Sequence, residues 1–140
     1  MSDLTTLHTA NDAPSRELDA RVAEALGWRR WDTWRDQGHT RPVTMWIPPP
    51  LWKQQHATER LARYTTDPDD LGPLEEMLAW LHARDYCVPM RSFSNGAAEA
   101  HAYEQHGGAV LESFGGRSLK HAVALLVLEV ARREREARDD

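Results

Sequence analysis

The fold is decided by the stretch from Ser118 to about Arg135, SLKHAVALLVLEVARRER, which is the longest run that combines helical period with apolar content. Ser118 is a typical N-cap residue, and the seven residues from Ala122 to Leu128 include no polar side chain. A helix that is apolar nearly all round must be covered on more than one side. The sequence therefore predicts a core helix that lies across a sheet and is flanked by other elements.

The length and composition of the chain favour one domain. Its 140 residues are 41% hydrophobic, which is enough for a real core. The formal net charge is −5, and this disfavours nucleic acid as a partner, because neutralising many phosphates requires a broad basic face.

Cysteine content and hydropathy predict the compartment. Cys87 is the single cysteine, so the chain has neither an intrachain disulfide nor a cysteine-rich zinc site, as is usual in a reducing cytoplasm. No stretch approaches the roughly 18 apolar residues of a membrane span, and the N-terminus lacks the plan of a signal peptide. We expect a cytoplasmic protein without a membrane partner.

The N-terminal part predicts a leader and then a helix. Residues 1–13 are polar and without period, so we expect a flexible leader. A helix from about Pro14 or Ser15 to Leu26 places Leu18 and Val22 on one buried stripe. Gly27 follows where a left-handed C-cap is needed.

Two strands and a proline run are predicted next. Residues 28–34, WRRWDTW, and Val43–Ile47 are rich in β-compatible side chains. Pro48, Pro49 and Pro50 end the second strand, because proline offers no N–H to a ladder. We expect residues 51–63 to form a long connection.

A second amphipathic helix is predicted after an acidic turn. Asp67–Asp70 is a suitable N-terminal flank, because carboxylates favour the positive end of the helix dipole. Pro73 would break a helix that began much earlier. We therefore expect the helix to begin near Gly72 or Pro73 and to end around Arg84.

The clearest β signal is a three-stranded antiparallel meander over Tyr86–Phe93, Glu99–Gln105 and Ala109–Phe114. Asn95-Gly96 and Gly107-Gly108 separate these runs and are typical hairpin turns. Strands that alternate with helices without forming βαβ units indicate an α+β protein. The expected layout is one domain over 14–136, with a Trp/Pro-rich insert at 31–61 and a charged tail at 137–140.

Three stretches together resemble the phage ABA-sandwich domain, a family of small proteins of tailed phages and prophages. They are SRELDARVAEALGW (Ser15–Trp28), RYTTDPDDLGPLEEMLAWL (Arg63–Leu81) and GGRSLKHAVALLVLEVARRE (Gly115–Glu134). The resemblance implies an α-β-α sandwich, with three main helices on a small, mostly antiparallel sheet, and a phage or prophage origin. It carries over no catalytic residue. The chain departs from the family pattern in the insert and at Gly72-Pro73.

The residues suited to catalysis or metal binding do not form a convincing set. His101, His106, His121 and Cys87 are the only such cluster, and their spacing matches no common metal motif. His101 and His106 would face opposite sides of a regular strand. We expect no metal, no cofactor and no enzymatic activity.

A glycine-rich turn before the last helix is a candidate anion site. Free N–H groups and the dipole at a helix start favour negative charge, and an arginine there adds a fork of donors. The turn lacks the spacing of a P-loop, and the alternative interpretation is a simple turn and cap. The candidate residues are Gly115, Gly116, Arg117, Ser118 and Lys120.

The most unusual composition lies in and before the insert, where five of the six tryptophans fall between positions 28 and 52. Trp and Arg are enriched in protein-interface hot spots, and polyproline segments lose little entropy on binding. The tryptophans could instead close the core or stack the bases of a single strand. The predicted partner-binding residues are Arg30, Trp31, Trp34, Arg35, Trp46 and Trp52.

These observations favour a non-catalytic phage or prophage binding protein that engages or inhibits a host protein, and they leave a homodimer open. The alternative is a small-ligand or nucleotide-binding protein that uses the glycine-rich turn.

Overall fold

The computed structural model describes residues 7–8, 13–33, 43–104 and 110–139, and these residues form three α-helices and two sheets. The predicted α+β class is confirmed. In chain order the elements are β1 (Leu7–His8), α1 (Arg16–Ala25), β2 (Arg29–Thr33), β3 (Val43–Ile47), a 3-10 turn (Gln54–His56), α2 (Gly72–His82), β4 (Tyr86–Cys87), β5 (Met90–Ser92), β6 (Ala98–Glu104), β7 (Val110–Gly116) and α3 (Leu119–Asp139).

Helix α3 is the central core element, as its composition predicts. The Ser118 hydroxyl accepts a hydrogen bond from the His121 N–H at 3.1 Å and so caps the helix. Every residue from Ala122 to Val127 is buried. Below the helix, β6 turns the small side chains Ala98, Ala100 and Ala102 inward, and all three are buried. The short alanine side chains let the helix lie close to the strand.

The main sheet has the strand order β1-β7-β6-β4, and β5 also pairs with β6. β4, β5 and β7 each pair with β6 in antiparallel orientation. The predicted meander is therefore confirmed, although its first strand is divided into β4 and β5. β1 pairs in parallel with β7. The leader was expected to be without structure, and Leu7–His8 differs because the edge of β7 offers it backbone partners.

The expected α-β-α sandwich arrangement of the layers is not confirmed. Helix α3 contacts β6 and β7, and both α1 and α2 contact α3. Helix α2 also reaches β4, and α1 reaches β2. The first two helices therefore pack around the third, which carries most of the contact with the sheet.

Helix α1 begins and ends as predicted. The Ser15 hydroxyl accepts from the Leu18 N–H at 3.0 Å. At the other end, the Trp28 N–H donates to the Ala23 carbonyl and the Gly27 N–H to the Glu24 carbonyl, which is the Schellman pattern. Gly27 has a φ of +107°, a conformation that glycine adopts without strain.

The strands β2 and β3 form a second, two-stranded sheet, called the ribbon below. Arg29 pairs with Ile47, and Trp31 pairs with Met45. Trp46 exchanges two backbone hydrogen bonds with Thr58, so the connection after the prolines returns to the ribbon. Residues 34–42, between the two strands, lie outside the described residues.

The predicted ends of the other helices are close to those observed. Helix α2 covers Gly72–His82, with Pro73 in its first turn. Helix α3 continues to Asp139, so most of the tail predicted at 137–140 is helical.

Candidate partner-binding surface

The ribbon directs its side chains to two faces. Arg29 and Trp31 lie on one face because they are two residues apart on a strand. Arg30 and Asp32 lie on the other face. Arg29, Arg30 and Asp32 are exposed, and Trp31 is half-buried.

Trp52 joins the first face from the connection after the prolines. The Arg29 guanidinium carbon lies 3.8 Å from the centroid of the Trp52 ring, which is a cation–π contact. The Trp52 Nε1 donates to the Gly27 carbonyl at 2.8 Å. Trp52 remains 36% exposed, and the neighbouring Leu51 is 70% exposed. We call Arg29, Trp31, Leu51 and Trp52 the tryptophan face.

The backbone of Trp52 is strained. Its φ is +51°, in the left-handed region, which costs a bulky residue roughly 1 kcal/mol or more. The hydrogen bond to Gly27 and the stacked Arg29 hold the indole in place at the surface. Strain of this kind at an exposed aromatic side chain is typical of binding sites.

Trp46 is not part of this surface, and its assignment to the partner-binding set is wrong. Its side chain is 4% exposed and belongs to the core. It lines a void of about 40 Å³ together with Ala23, Trp28 and Tyr64. Trp46 therefore closes the core over α1, which is the alternative that the sequence left open.

The other predicted ribbon residues have different positions. Arg30 is exposed, and its Nε lies 3.4 Å from the Asp32 Oδ1. Thr44 donates to the same Asp32 oxygen at 2.7 Å. This hydrogen bond, and then the Arg30 charge, lower the pKa of Asp32. Trp34 and Arg35 lie outside the described residues.

The two glycines predicted to form a turn are part of the sheet. Gly115 and Gly116 belong to β7 and pair with Glu99 and Ala98. A Cβ on Gly116 would lie 2.6 Å from the Ala122 nitrogen, so this glycine allows strand and helix to approach closely.

Two amides at the start of α3 have side-chain acceptors, those of Arg117 and His121. The Arg117 N–H donates to His121 Nδ1 at 2.9 Å, and the Ser118 hydroxyl caps α3. Turn and cap, the alternative interpretation, fit this geometry better than an anion site.

Lys120 is also unavailable to an external anion, because it is 1% exposed. Its Nζ donates to the carbonyl oxygens of Thr66 at 3.1 Å and Asp67 at 2.8 Å. Burial lowers the pKa of Lys120, although the charges of Asp70, Asp67 and Asp19 oppose the shift. The ammonium group ties α3 to the turn before α2.

A buried polar cluster, which sequence reasoning missed, joins that turn to α1. The Asp19 carboxylate is fully buried. It accepts hydrogen bonds from the Thr65 N–H at 2.6 Å, the Thr65 hydroxyl at 2.7 Å, the Thr66 hydroxyl at 2.8 Å and Arg16 Nη1 at 2.7 Å. Asp19, Thr65, Thr66 and Arg16 are called the Asp19 cluster. Its residues come from Ser15–Trp28 and Arg63–Leu81, the first two stretches quoted for the resemblance. That these two stretches occur together was the feature of the sequence that could have predicted a contact between them.

A second, half-buried carboxylate acts in the same way. Glu76 accepts from the Trp28 Nε1 at 2.8 Å and from the Tyr64 hydroxyl at 2.8 Å. Burial, followed by the charge of Glu76, raises the pKa of Tyr64 well above its ordinary value. These bonds connect α2 to the end of α1 and to the turn.

The candidate chemical groups are dispersed. Cys87 is exposed, His101 is half-buried on β6 and His121 is buried in α3, whereas His106 lies outside the described residues. In the part of the chain that the structure describes, no group of three or more His, Cys, Asp or Glu side chains is placed to hold a metal ion.

The charge distribution distinguishes the ribbon region from the rest of the chain. Residues 28–63 contain seven Arg or Lys against three Asp or Glu, in a chain that has 17 against 22. Arg29 and Arg30 lie on the ribbon, and Lys53 and Arg60 are exposed in the connection after it. The segment that contains the ribbon is therefore locally basic in an acidic protein.

Comparison with protein-family models, with curated proteins and with solved structures finds no match. Among the described helices, none combines the length and apolarity needed to cross a bilayer.

Proposed function

We propose that the chain is a non-catalytic binding protein that grips a protein partner through its tryptophan face. The observation that carries the proposal is Trp52, an exposed indole on a strained backbone, held by Arg29 and the Gly27 carbonyl. Trp and Arg side chains carry most of the energy in many interfaces. A solvent-exposed pair that is already oriented loses little entropy on binding.

The partner has an acidic and apolar contact region. The local excess of Arg and Lys attracts carboxylates, and Leu51 and Trp52 offer apolar area to the same contact. We favour a protein over a nucleic acid, because the acidic remainder of the chain repels an extended polyanion. The resemblance to phage ABA-sandwich proteins extends the proposal to a phage or prophage protein that engages or inhibits a host protein in the cytoplasm of an infected or lysogenic bacterium.

The test compares two cation–π pairs in the same protein. The tryptophan face is altered by Arg29→Ala with Trp52→Ala. The matched control is Arg84→Ala with Trp80→Ala, because the Arg84 guanidinium carbon lies 3.6 Å from the Trp80 ring centroid on α2. A partner is captured from lysate of the bacterial host, identified, purified and titrated against each variant.

We expect the first double variant to lose about 30-fold or more in affinity, as removal of an interface hot spot does. The control should bind like the unaltered protein. Equal binding by both variants, or capture of nucleic acid in place of protein, would contradict the proposal.

A further inference from the structure

A groove of about 330 Å³ lies between α1 and α3, and no residue of the tryptophan face lines it. Its floor is aliphatic and comes from Ala25 on α1 and from Leu125, Leu128 and Ala131 on α3. The two alanines are small, so the helices leave space between them. This volume lies at the lower end of the range for small-molecule sites.

The charged side chains of the groove are arginines and glutamates. Arg21, Arg132 and Arg135 line it, together with Glu24 and Glu129. The Glu129 carboxylate is already paired, because it accepts from Arg132 Nε at 2.8 Å and lies 3.6 Å from Arg133 Nε. Arg132 also pairs with Glu136, which does not line the groove. Three arginines and two glutamates line the groove, so its lining carries one more positive than negative charge.

The arginines around Glu129 keep its carboxylate ionised. Burial opposes its charge, but the hydrogen bonds and charges of Arg132 and Arg133 outweigh burial and lower its pKa. Glu129 therefore stays ionised at neutral pH and keeps Arg132 in place.

The lining also restricts the body of a ligand. The groove residues include no aromatic ring for stacking and no hydroxyl or amide side chain. A matching molecule has an aliphatic body and a single anionic head. We propose that the α1–α3 groove binds a small aliphatic carboxylate, with its chain over Leu125 and Leu128 and its head among the arginines. This site is independent of the tryptophan face.

The experiment uses octanoate, with octanol as a probe of equal chain length and no charge. Titration is followed by nuclear magnetic resonance on the full, isotope-labelled chain. We expect octanoate to shift saturably the amide signals of residues 21–25 and 125–135. Octanol should bind at least about tenfold more weakly, because a charge-assisted hydrogen bond contributes about 1.5–3 kcal/mol.

Two variants test separately how the groove binds the carboxylate head of octanoate and its aliphatic chain. Arg135→Gln should weaken octanoate about tenfold and leave octanol unchanged, whereas Ala25→Trp should fill the groove and block both. Arg138→Gln, on the same helix but outside the groove lining, should have no effect. Melting curves confirm that each variant is folded, and Arg135 is exposed, so its variant carries the test if Ala25→Trp does not fold.

Three results would overturn the proposal. The first is the absence of a saturable shift at the groove with octanoate. The second is equal binding of octanoate and octanol, and the third is binding that Arg135→Gln leaves unchanged.

Discussion

The Asp19 cluster and the tryptophan face lie in opposite settings. In the cluster, a fully buried carboxylate accepts four hydrogen bonds, all from within the chain. On the tryptophan face, an exposed indole and an exposed guanidinium stack on each other at the surface. The Asp19 carboxylate uses its hydrogen-bonding capacity inside the protein. The tryptophan face leaves the Trp52 indole and the Arg29 guanidinium in contact with solvent.

This difference separates residues that maintain the fold from residues available for binding. A buried carboxylate must be fully bonded, because each missing bond leaves a desolvated charge uncompensated. The Asp19 cluster therefore fixes α1 against the turn before α2, and Lys120 fixes the same turn against α3. A stacked pair at the surface contributes little to folding, so these two side chains are available for a role outside the fold.

The largest expected effect is at Asp19. Asp19→Ala removes the acceptor of four hydrogen bonds and leaves the Thr65 N–H and the Arg16 guanidinium without it. We expect the free energy of unfolding, measured by urea denaturation, to fall by about 2–3 kcal/mol, because the buried Thr65 N–H loses its acceptor. Glu17→Ala, at an exposed position of the same helix, is the matched control and should change it by less than about 0.5 kcal/mol. A loss at Asp19 no larger than the control would refute the assigned role.

Much of the fold follows from local patterns. Ser15 and Gly27 bound α1 because capping chemistry is local. Val43–Ile47 is a strand as predicted, since the prolines that follow cannot continue a ladder. The layering could not be read in this way, because the packing of α1 and α2 on α3 depends on contacts between distant segments. The strand at Leu7–His8 was missed for the same reason, because two residues carry no period.

The surface that we propose for binding was predicted only in part. Composition identified the ribbon region, but it could not distinguish Trp46 from Trp52. Trp46 points into the core because its strand neighbours the end of α1, and Trp52 points outward because a positive φ and a hydrogen bond to Gly27 direct it. Lys120 looked like an anion ligand because lysine is rarely buried, and only the tertiary structure shows the two carbonyls that bind it.

A smaller effect is expected at Tyr64, and it depends on pH. Tyr64→Phe removes the hydrogen bond to Glu76 and should reduce the free energy of unfolding by about 1 kcal/mol at neutral pH. The pKa of Tyr64 is raised in the folded protein, so its hydroxyl stays protonated there above pH 10. In the unfolded chain the same hydroxyl has its ordinary pKa of 10.0 and ionises above that pH. The stabilisation is thus complete below pH 10 and is lost as the pH rises beyond it.

Urea denaturation of both proteins from neutral to alkaline pH checks this. The difference between wild type and Tyr64→Phe should be constant below about pH 9, narrow near pH 10 and then reverse in sign. Lys120 has a lowered pKa and acts in the opposite direction, but it is present in both proteins and cancels in the difference. A difference that stays constant through pH 11 would contradict the assigned burial of the hydroxyl.

The smallest expected effect on stability is at Trp52, and it gives the sharpest contrast with the Asp19 cluster. Trp52→Ala removes the stacking on Arg29 and the indole hydrogen bond to Gly27, and it should reduce the free energy of unfolding by no more than about 1 kcal/mol. Trp52→Gly removes the same contacts and also relieves the positive φ, so it should be more stable than Trp52→Ala by roughly 0.5–1 kcal/mol. Urea denaturation of the two variants measures this difference directly. If Trp52→Ala were instead as destabilising as Asp19→Ala, Trp52 would belong to the structural framework, and the distinction between the two regions would fail.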